Sequence, residues 1–352
     1  MDTSYLNQIL NRFNINEDLI DFKPITAGYI NDTFLVLKSE IPVYILQRVN
    51  HNVFKNVSQL LQNIDRALLK LQASDYRTIK LLKADNGESY CKHEDSYWRL
   101  MTFINDSTTH NTTTKPKIAY EAGRIIGRFH NLLQFESPET FVETIPNFNN
   151  LPFRTTEFNE ALIRTSEDRR QIAKNEIEFA TRSLSKFTPF YNSGLPLRVC
   201  HNDTKLNNIL FNASNEAMCL IDLDTIMAGY FHYDFGDAVR TIVNTANEDE
   251  QDLSKITFSK PLFEAFIEGL DSNASFLSNE EIKLLPIAAA LMPFMHGLRA
   301  LTDFLNGNIY YKVAYENQNL DRCISLFHFT KLAFQNEEYM SEFIGSKLKK
   351  LN

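Results

Sequence analysis

The first hundred residues are dominated by short apolar runs at strand spacing. TFLVLKS (33–39) and VYILQRV (43–49) are rich in aliphatic and β-branched residues, and Glu40-Ile41-Pro42 separates them, so together they predict a hairpin. From 58 to 71 the period changes. Leu60, Leu61, Ile64, Ala67, Leu68 and Leu71 recur every three or four residues, which predicts a helix with Ser58 as its N-cap. TIKLLKAD (78–85), ESYCKHE (88–94) and YWRLMTFI (97–104) return to strand character, with a turn at Asn86-Gly87.

A polar run at 105–117, ending in Lys-Pro-Lys, marks a boundary. Beyond it the pattern is helical. Ala122, Ile125, Ile126, Phe129 and Leu133 form one face of 118–133, a polar helix follows at 157–187, and apolar helical stretches cover 261–270, 280–305 and 318–347. One β-type patch interrupts them at 207–226. The reading is α+β, with an N-lobe (1–104), a linker (105–117) and a C-lobe (118–352), and a site between the lobes.

Composition narrows the function. The formal charge of −8 lacks the basic field of a nucleic-acid binder. The longest apolar run, Leu284 to Met295, is too short to span a bilayer and contains Pro286 and Pro293. Cys91, Cys200, Cys219 and Cys323 are scattered without a CxxC, which suits reduced thiols and a cytoplasmic location. A monomer or homodimer acting on a small molecule is expected.

The chemistry gathers around the β-type patch. His201-Asn202-Asp203-Thr204-Lys205-Leu206-Asn207-Asn208 precedes it, and Ile221-Asp222-Leu223-Asp224 ends its second strand. Phosphoryl transfer from ATP needs a carboxylate to accept the proton of the attacking hydroxyl and hard oxygen ligands for Mg²⁺. Asp-x4-Asn followed by an Asp at the end of the next strand pair supplies both. Asp203 is then the base, and Asn208 and Asp222 the metal ligands. Asp224 is a further ligand or supports one. His201 reads as structural. Asp234-Phe235-Gly236 spells a kinase metal motif but lies too far past Asp203, so Asp234 is expected to brace the catalytic-loop backbone instead.

These residues resemble the aminoglycoside phosphotransferase and choline kinase superfamily, small-molecule kinases with a two-lobed protein-kinase-like fold. Three segments resemble bacterial N-acetylhexosamine 1-kinases in particular: Gly28 to Phe34, Tyr44 to Asn50, and Arg299 to Leu305. The resemblance implies that the turn around Gly28 to Thr33 covers the phosphates, with Asn31, Asp32 and Thr33 compensating for its single glycine or reaching the sugar. It implies Arg48 as the phosphate cation, partnered by Asp65 or Gln62, and a hinge from Met101 through Phe103 to Ile104 that pairs with adenine. Sugar contacts fall to Asp203, Arg299, Tyr310 and Tyr311. The reaction so implied phosphorylates the anomeric hydroxyl of GlcNAc or GalNAc with Mg·ATP; another sugar, an aminoglycoside or a choline-like amino alcohol is the alternative acceptor.

Two other readings compete. Asp222-Leu223-Asp224-Thr225 also fits the nucleophile motif of haloacid-dehalogenase-type phosphatases, but a hairpin precedes it and Asp203-x4-Asn208 goes unexplained. A catalytically dead binding module usually lacks the base, the Asn or the metal Asp, and this chain has all three. G-x4-G-K-[ST], G-x-G-x-x-G, H-E-x-x-H and G-x-S-x-G are absent.

Overall fold

A computed structural model of the chain describes residues 2–15, 20–26 and 30–348. Gly28 and Tyr29 of the expected phosphate turn lie outside them. Helix α1 (Thr3–Asn11) precedes an antiparallel sheet of β1 (Ile20–Ile25), β2 (Asp32–Lys38), β3 (Ile41–Val49), β4 (Cys91–His93) and β5 (Ser96–Thr102), in the order β1-β2-β3-β5-β4. Helix α2 (Val57–Lys70) interrupts the sheet in sequence, and its N-cap is Asn56, which accepts from Gln59 N at 3.1 Å, rather than Ser58. The expected strand at 78–85 forms only an isolated bridge from Leu81 to Met101.

Side-chain alternation splits this sheet into two faces. Phe34, Val36, Leu46, Trp98 and Leu100 point outward and are covered by Leu6, Ile9 and Leu10 of α1. Thr33, Gln47 and Arg99 are directly paired across β2, β3 and β5 and share the other face. That face turns toward the rest of the molecule.

The C-terminal part is mostly helical: α3 (Pro116–Leu133), α4 (Leu151–Arg164), α5 (Glu167–Ile172), α6 (Lys174–Ser183), α7 (Thr188–Tyr191), α8 (Phe231–Ile242), α9 (Lys260–Asp271), α10 (Asn279–Lys283), α11 (Leu285–Leu305), α12 (Gln318–Gln335) and α13 (Glu337–Lys347). The single polar helix expected at 157–187 is broken at Thr165-Ser166, where Ser166 caps α5 by accepting from Arg169 N. Prolines explain two other boundaries. Pro116 starts α3 and Pro286 lies in the first turn of α11, where a missing N–H costs nothing.

Between α7 and α8 lie four short strands: β6 (Arg198–Cys200), β7 (Ile209–Phe211), β8 (Ala217–Leu220) and β9 (Met227–Gly229), paired as β6-β9 and β7-β8. The expected hairpin at 207–226 is thus β7-β8, and it is framed by a second ladder. One continuous core joins α2 to α3, α8, α9 and the β7-β8 hairpin. Helices α8 and α11 approach so closely that a Cβ on Gly236 would stand 2.2 Å from the Ala288 carbonyl oxygen. Among the described residues no helix is long and apolar enough to cross a membrane.

Candidate active site

The two ladders present two loops side by side. The chain from β6 to β7 carries 201–208, and the chain from β8 to β9 carries 221–226. Ile221 N donates to Asn208 O at 2.9 Å and Thr225 Oγ1 donates to His201 O at 2.7 Å, so the loops are fastened to each other. Asn202, at φ +64°, donates from its side chain to Thr225 O at 3.0 Å. Asp234, fully buried at the start of α8, accepts from His201 N at 2.8 Å, Asn202 N at 2.6 Å and His130 Nε2 at 2.8 Å. It therefore does the bracing expected of it, and Gly236 beside it serves helix packing. His201 turns its Nε2 to the Ile221 carbonyl at 2.9 Å, a structural role.

Asp203 is gripped from two sides. Lys205 Nζ donates to its Oδ2 at 2.8 Å, and Asn208 Nδ2 donates to the same oxygen at 2.9 Å and to the Asp203 carbonyl at 2.9 Å. Burial opposes the charge on Lys205, but Asp203 and Asp222 outweigh it and hold the ammonium's pKa above its usual range. The Asn208 amide nitrogen is thus committed to Asp203.

Asp222 adopts a left-handed conformation, φ +62° and ψ +56°. The residue is exposed to solvent on one side, and the protein packed around the other partly desolvates its carboxylate. That desolvation, with the neighbouring charges of Asp224 and Asp203, raises its pKa to about 6. A carboxylate so crowded by negative charge, next to an amide oxygen, is a fitting seat for a hard divalent cation.

Asp224 is committed elsewhere. Its Oδ1 is ion-paired with Arg99 of β5, and its Oδ2 accepts from Asn31 Nδ2 at 2.7 Å. The Arg99 and Asp224 side chains are only 3% and 4% exposed, so this is a buried pair joining the sheet to the 221–226 loop. Arg99 Nε also donates to Gln47 Oε1 at 2.9 Å, and Gln47 Nε2 to Thr33 Oγ1 at 2.9 Å. Asn31 Oδ1 meanwhile accepts from Asn50 N at 2.9 Å.

Other expected residues are placed differently. Arg48 lies on the α1 side of the sheet and pairs with Asp32 through Nε at 2.7 Å, both largely exposed. The structure does not bring it to Asp203 or Asp222; Arg99, one position along in the facing register, occupies that ground. Asp65 pairs with Lys83 at 3.0 Å instead of Arg48. At the expected hinge, Met101 bridges Leu81, Thr102 N donates to Lys80 O, and Phe103 N donates to Val43 O at 3.0 Å. The N–H of Phe103 is thus taken by the sheet. Arg299 stacks on Phe148, its guanidinium carbon 5.2 Å from the ring. Tyr310 and Tyr311 meet edge-to-face at 4.8 Å, and their backbone N–H groups donate to buried Asp303.

Lys205 and Arg99 are the residues sequence reasoning passed over. Lys205 had a signal in its spacing, two residues past Asp203 on an extended loop. Arg99 had one in its context, a lone cation inside the apolar strand YWRLM.

The sequence model of a family described as "Phosphotransferase enzyme family" matches residues 21–261. Three solved structures share the fold. A microcompartment-associated aminopropanol kinase is 17% identical, with a TM-score of 0.61 over 97% of this chain and 99% of that one. Choline kinase from Cryptosporidium parvum Iowa II is 15% identical, with a TM-score of 0.58 over 99% of each chain. An amicoumacin kinase solved with AMP-PNP, Ca²⁺ and its antibiotic is 12% identical, with a TM-score of 0.58 over 96% of this chain and 94% of that one.

Proposed function

The chain belongs to the phosphotransferase enzyme family, small-molecule kinases that act on hydroxyl groups, and within it we propose a sugar kinase that phosphorylates the anomeric 1-OH of an N-acetylhexosamine. The observation that supports phosphoryl transfer is Asp203, oriented by Lys205 and Asn208, with Asp222 near enough for the charges to interact; the sugar acceptor rests on the resemblance of Gly28 to Phe34, Tyr44 to Asn50 and Arg299 to Leu305. In this reading Asp203 accepts the acceptor's proton as its oxygen attacks the γ-phosphorus. The new O–P bond forms, the bond to the bridging oxygen breaks, and ADP leaves with the electron pair. The anomeric hydroxyl is more acidic than an ordinary alcohol, which eases the task of a carboxylate base.

Asn208 and Asp222 would hold Mg²⁺, which when bound neutralises charge on the phosphates. Asp224 acts through Arg99 and Asn31 by fixing the loop that carries Asp222. Lys205 is free to exchange Asp203 for a phosphate oxygen once the acceptor hydroxyl occupies Asp203. Arg299, Tyr310 and Tyr311 remain the proposed sugar contacts, and the cytoplasm the proposed location.

A second reading, an amino-alcohol acceptor, is favoured by the neighbours named for aminopropanol and choline. ³¹P NMR with Mg·ATP and a panel of GlcNAc, GalNAc, glucose, galactose, choline and kanamycin separates the two. A product phosphorus coupled to an anomeric proton is expected; phosphorylation of choline or kanamycin alone would discard the sugar assignment.

A further inference from the structure

Residues 30 and 31 sit where the β2-β3 ladder runs out. The last cross-strand pair is Asp32 opposite Arg48. Beyond it, side chains take over from the ladder. Asn50 Nδ2 donates to Ile30 O at 3.2 Å, and Asn50 N donates to Asn31 Oδ1 at 2.9 Å. Asn50 is itself held, because its Oδ1 accepts from Asn52 N at 3.1 Å. The other end of the Asn31 amide leaves the sheet. Its Nδ2 donates to Asp224 Oδ2 at 2.7 Å, across 193 residues of sequence.

Among side chains of this length, only an amide serves both partners. A backbone N–H can only donate, so it draws the oxygen of Asn31 toward Asn50. An ionised carboxylate can only accept, so it draws the nitrogen toward Asp224. Aspartate has the same shape, but it would keep the first bond and set two carboxylates against each other at the second. Alanine would lose both bonds. Both polar atoms of this half-buried side chain therefore face protein.

The far end of the bond is firm. The Asp224 carbonyl accepts from Thr144 Oγ1 at 2.9 Å, and its Oδ1 is ion-paired with Arg99. Arg99 continues through Gln47 to Thr33 Oγ1, so the circuit returns to β2 two residues past Asn31. Any slide of residues 30–31 along the 221–226 loop must break the Asn31 bond.

We infer that Asn31 is a positioning residue for the nucleotide. It latches residues 30–31, which enter the turn expected to cover the phosphates, onto Asp224, and so sets their place relative to Asp222 without binding the nucleotide itself. The inference rests on the kinase reading above.

Titration calorimetry of the full chain with Mg·ATP tests this without an acceptor. Asn31→Asp should raise Kd at least about tenfold, the scale of one lost bond to a charged group. The exchanged pair, Asn31→Asp with Asp224→Asn, keeps the net charge and reverses donor and acceptor. It should recover at least about half of that loss on a logarithmic scale, a coupling that two independent effects do not give. Should the exchanged pair not fold, Asn31→Ala decides. It should weaken Mg·ATP at least about fivefold more than ATP in EDTA, because the latch acts through the loop that carries Asp222. An unchanged Kd in folded Asn31→Asp overturns the inference. So does a loss with no recovery in the folded exchanged pair, or equal weakening with and without metal in Asn31→Ala; either would make Asn31 a direct nucleotide ligand. If the wild-type chain binds no Mg·ATP, the kinase reading fails and the inference falls with it.

Discussion

Replacing Arg99 by Met tests how much the buried ion pair between the N-terminal sheet and Asp224 stabilises the fold. The substitution keeps side-chain length and removes the partner of a carboxylate that is 4% exposed. Asp224 then retains only the neutral amide of Asn31 at 2.7 Å. Stripping one member from a buried pair costs about 3–5 kcal/mol, because the remaining charge is left without compensation in a site that excludes water. For a chain of this length an unfolding entropy of roughly 2.1 cal/mol/K per residue converts that to about 4–7 °C in Tm. Arg48→Met breaks a pair whose side chains are 40% and 51% exposed, and should cost at most about 1 kcal/mol, or about 1 °C. Arg99→Met combined with Asp224→Leu removes both charges and should recover at least about half of the single-variant loss. The assay is calorimetric unfolding without nucleotide. A Tm loss for Arg99→Met no larger than that for Arg48→Met, or no recovery in the double variant, refutes the argument.

Three further outcomes are expected. Asp203→Asn preserves the shape of the loop but removes the proton acceptor. Turnover should fall by about two to four orders of magnitude while Mg·ATP still binds by calorimetry, and near-wild-type turnover would remove Asp203 from the base role. Asp222→Ala should abolish the Mg²⁺-dependent part of nucleotide binding; an unchanged titration would sink the metal assignment. His232 is buried, with Nε2 2.9 Å from the Glu281 carbonyl oxygen, and burial lowers its pKa from 6.5 to about 4. A depressed pKa means the unfolded chain takes up the proton first, so its stability contribution is complete above pH 6.5 and is lost as pH falls toward 4. The loss is about 3 kcal/mol at its limit. His232→Gln should therefore flatten the drop in Tm between pH 7 and 5, and an unchanged slope would assign that drop to other groups.

Sequence periodicity was a good guide where burial is one-sided. The hairpin of β2 and β3, helix α2, α3 and the β7-β8 hairpin all appear within a few residues of their expected bounds. It failed where a backbone partner decides. Residues 78–85 have strand composition, but they make only a broken line of bonds to β5, at Lys80, Leu81 and Leu82. The cation on the inner face of the sheet shows the sharpest limit. Arg48 and Gln47 differ by one position, and in a strand one position is the difference between faces. The Thr33-Gln47-Arg99 row exposes the parity only once the register of three strands is known. The Asp-x4-Asn loop was legible because its spacing is local. Asp224's partners, 193 and 125 residues away in Asn31 and Arg99, were not.

The same pair constrains how the cleft can move. Arg99 and Asn31 both belong to the N-terminal sheet region, and both hold Asp224, two residues from Asp222. Helix α2, although it interrupts that sheet in sequence, packs into the core shared with α3, α8 and α9. Its Asn63 donates to Ile226 O at 3.0 Å and to Val142 O at 2.7 Å, which ties it to the 221–226 loop as well. Opening the cleft by lifting the sheet would pull Arg99 and Asn31 off a buried carboxylate and incur the several kcal/mol estimated above. Rotation about the Asp224 contact incurs no such penalty. Lys70 with Glu136 at 3.0 Å and Asp75 with Arg128 at 2.9 Å also cross from the first hundred residues to the helical part, but those pairs are far more exposed and cost little to break, so the buried Arg99–Asp224 pair is the crossing contact that resists separation.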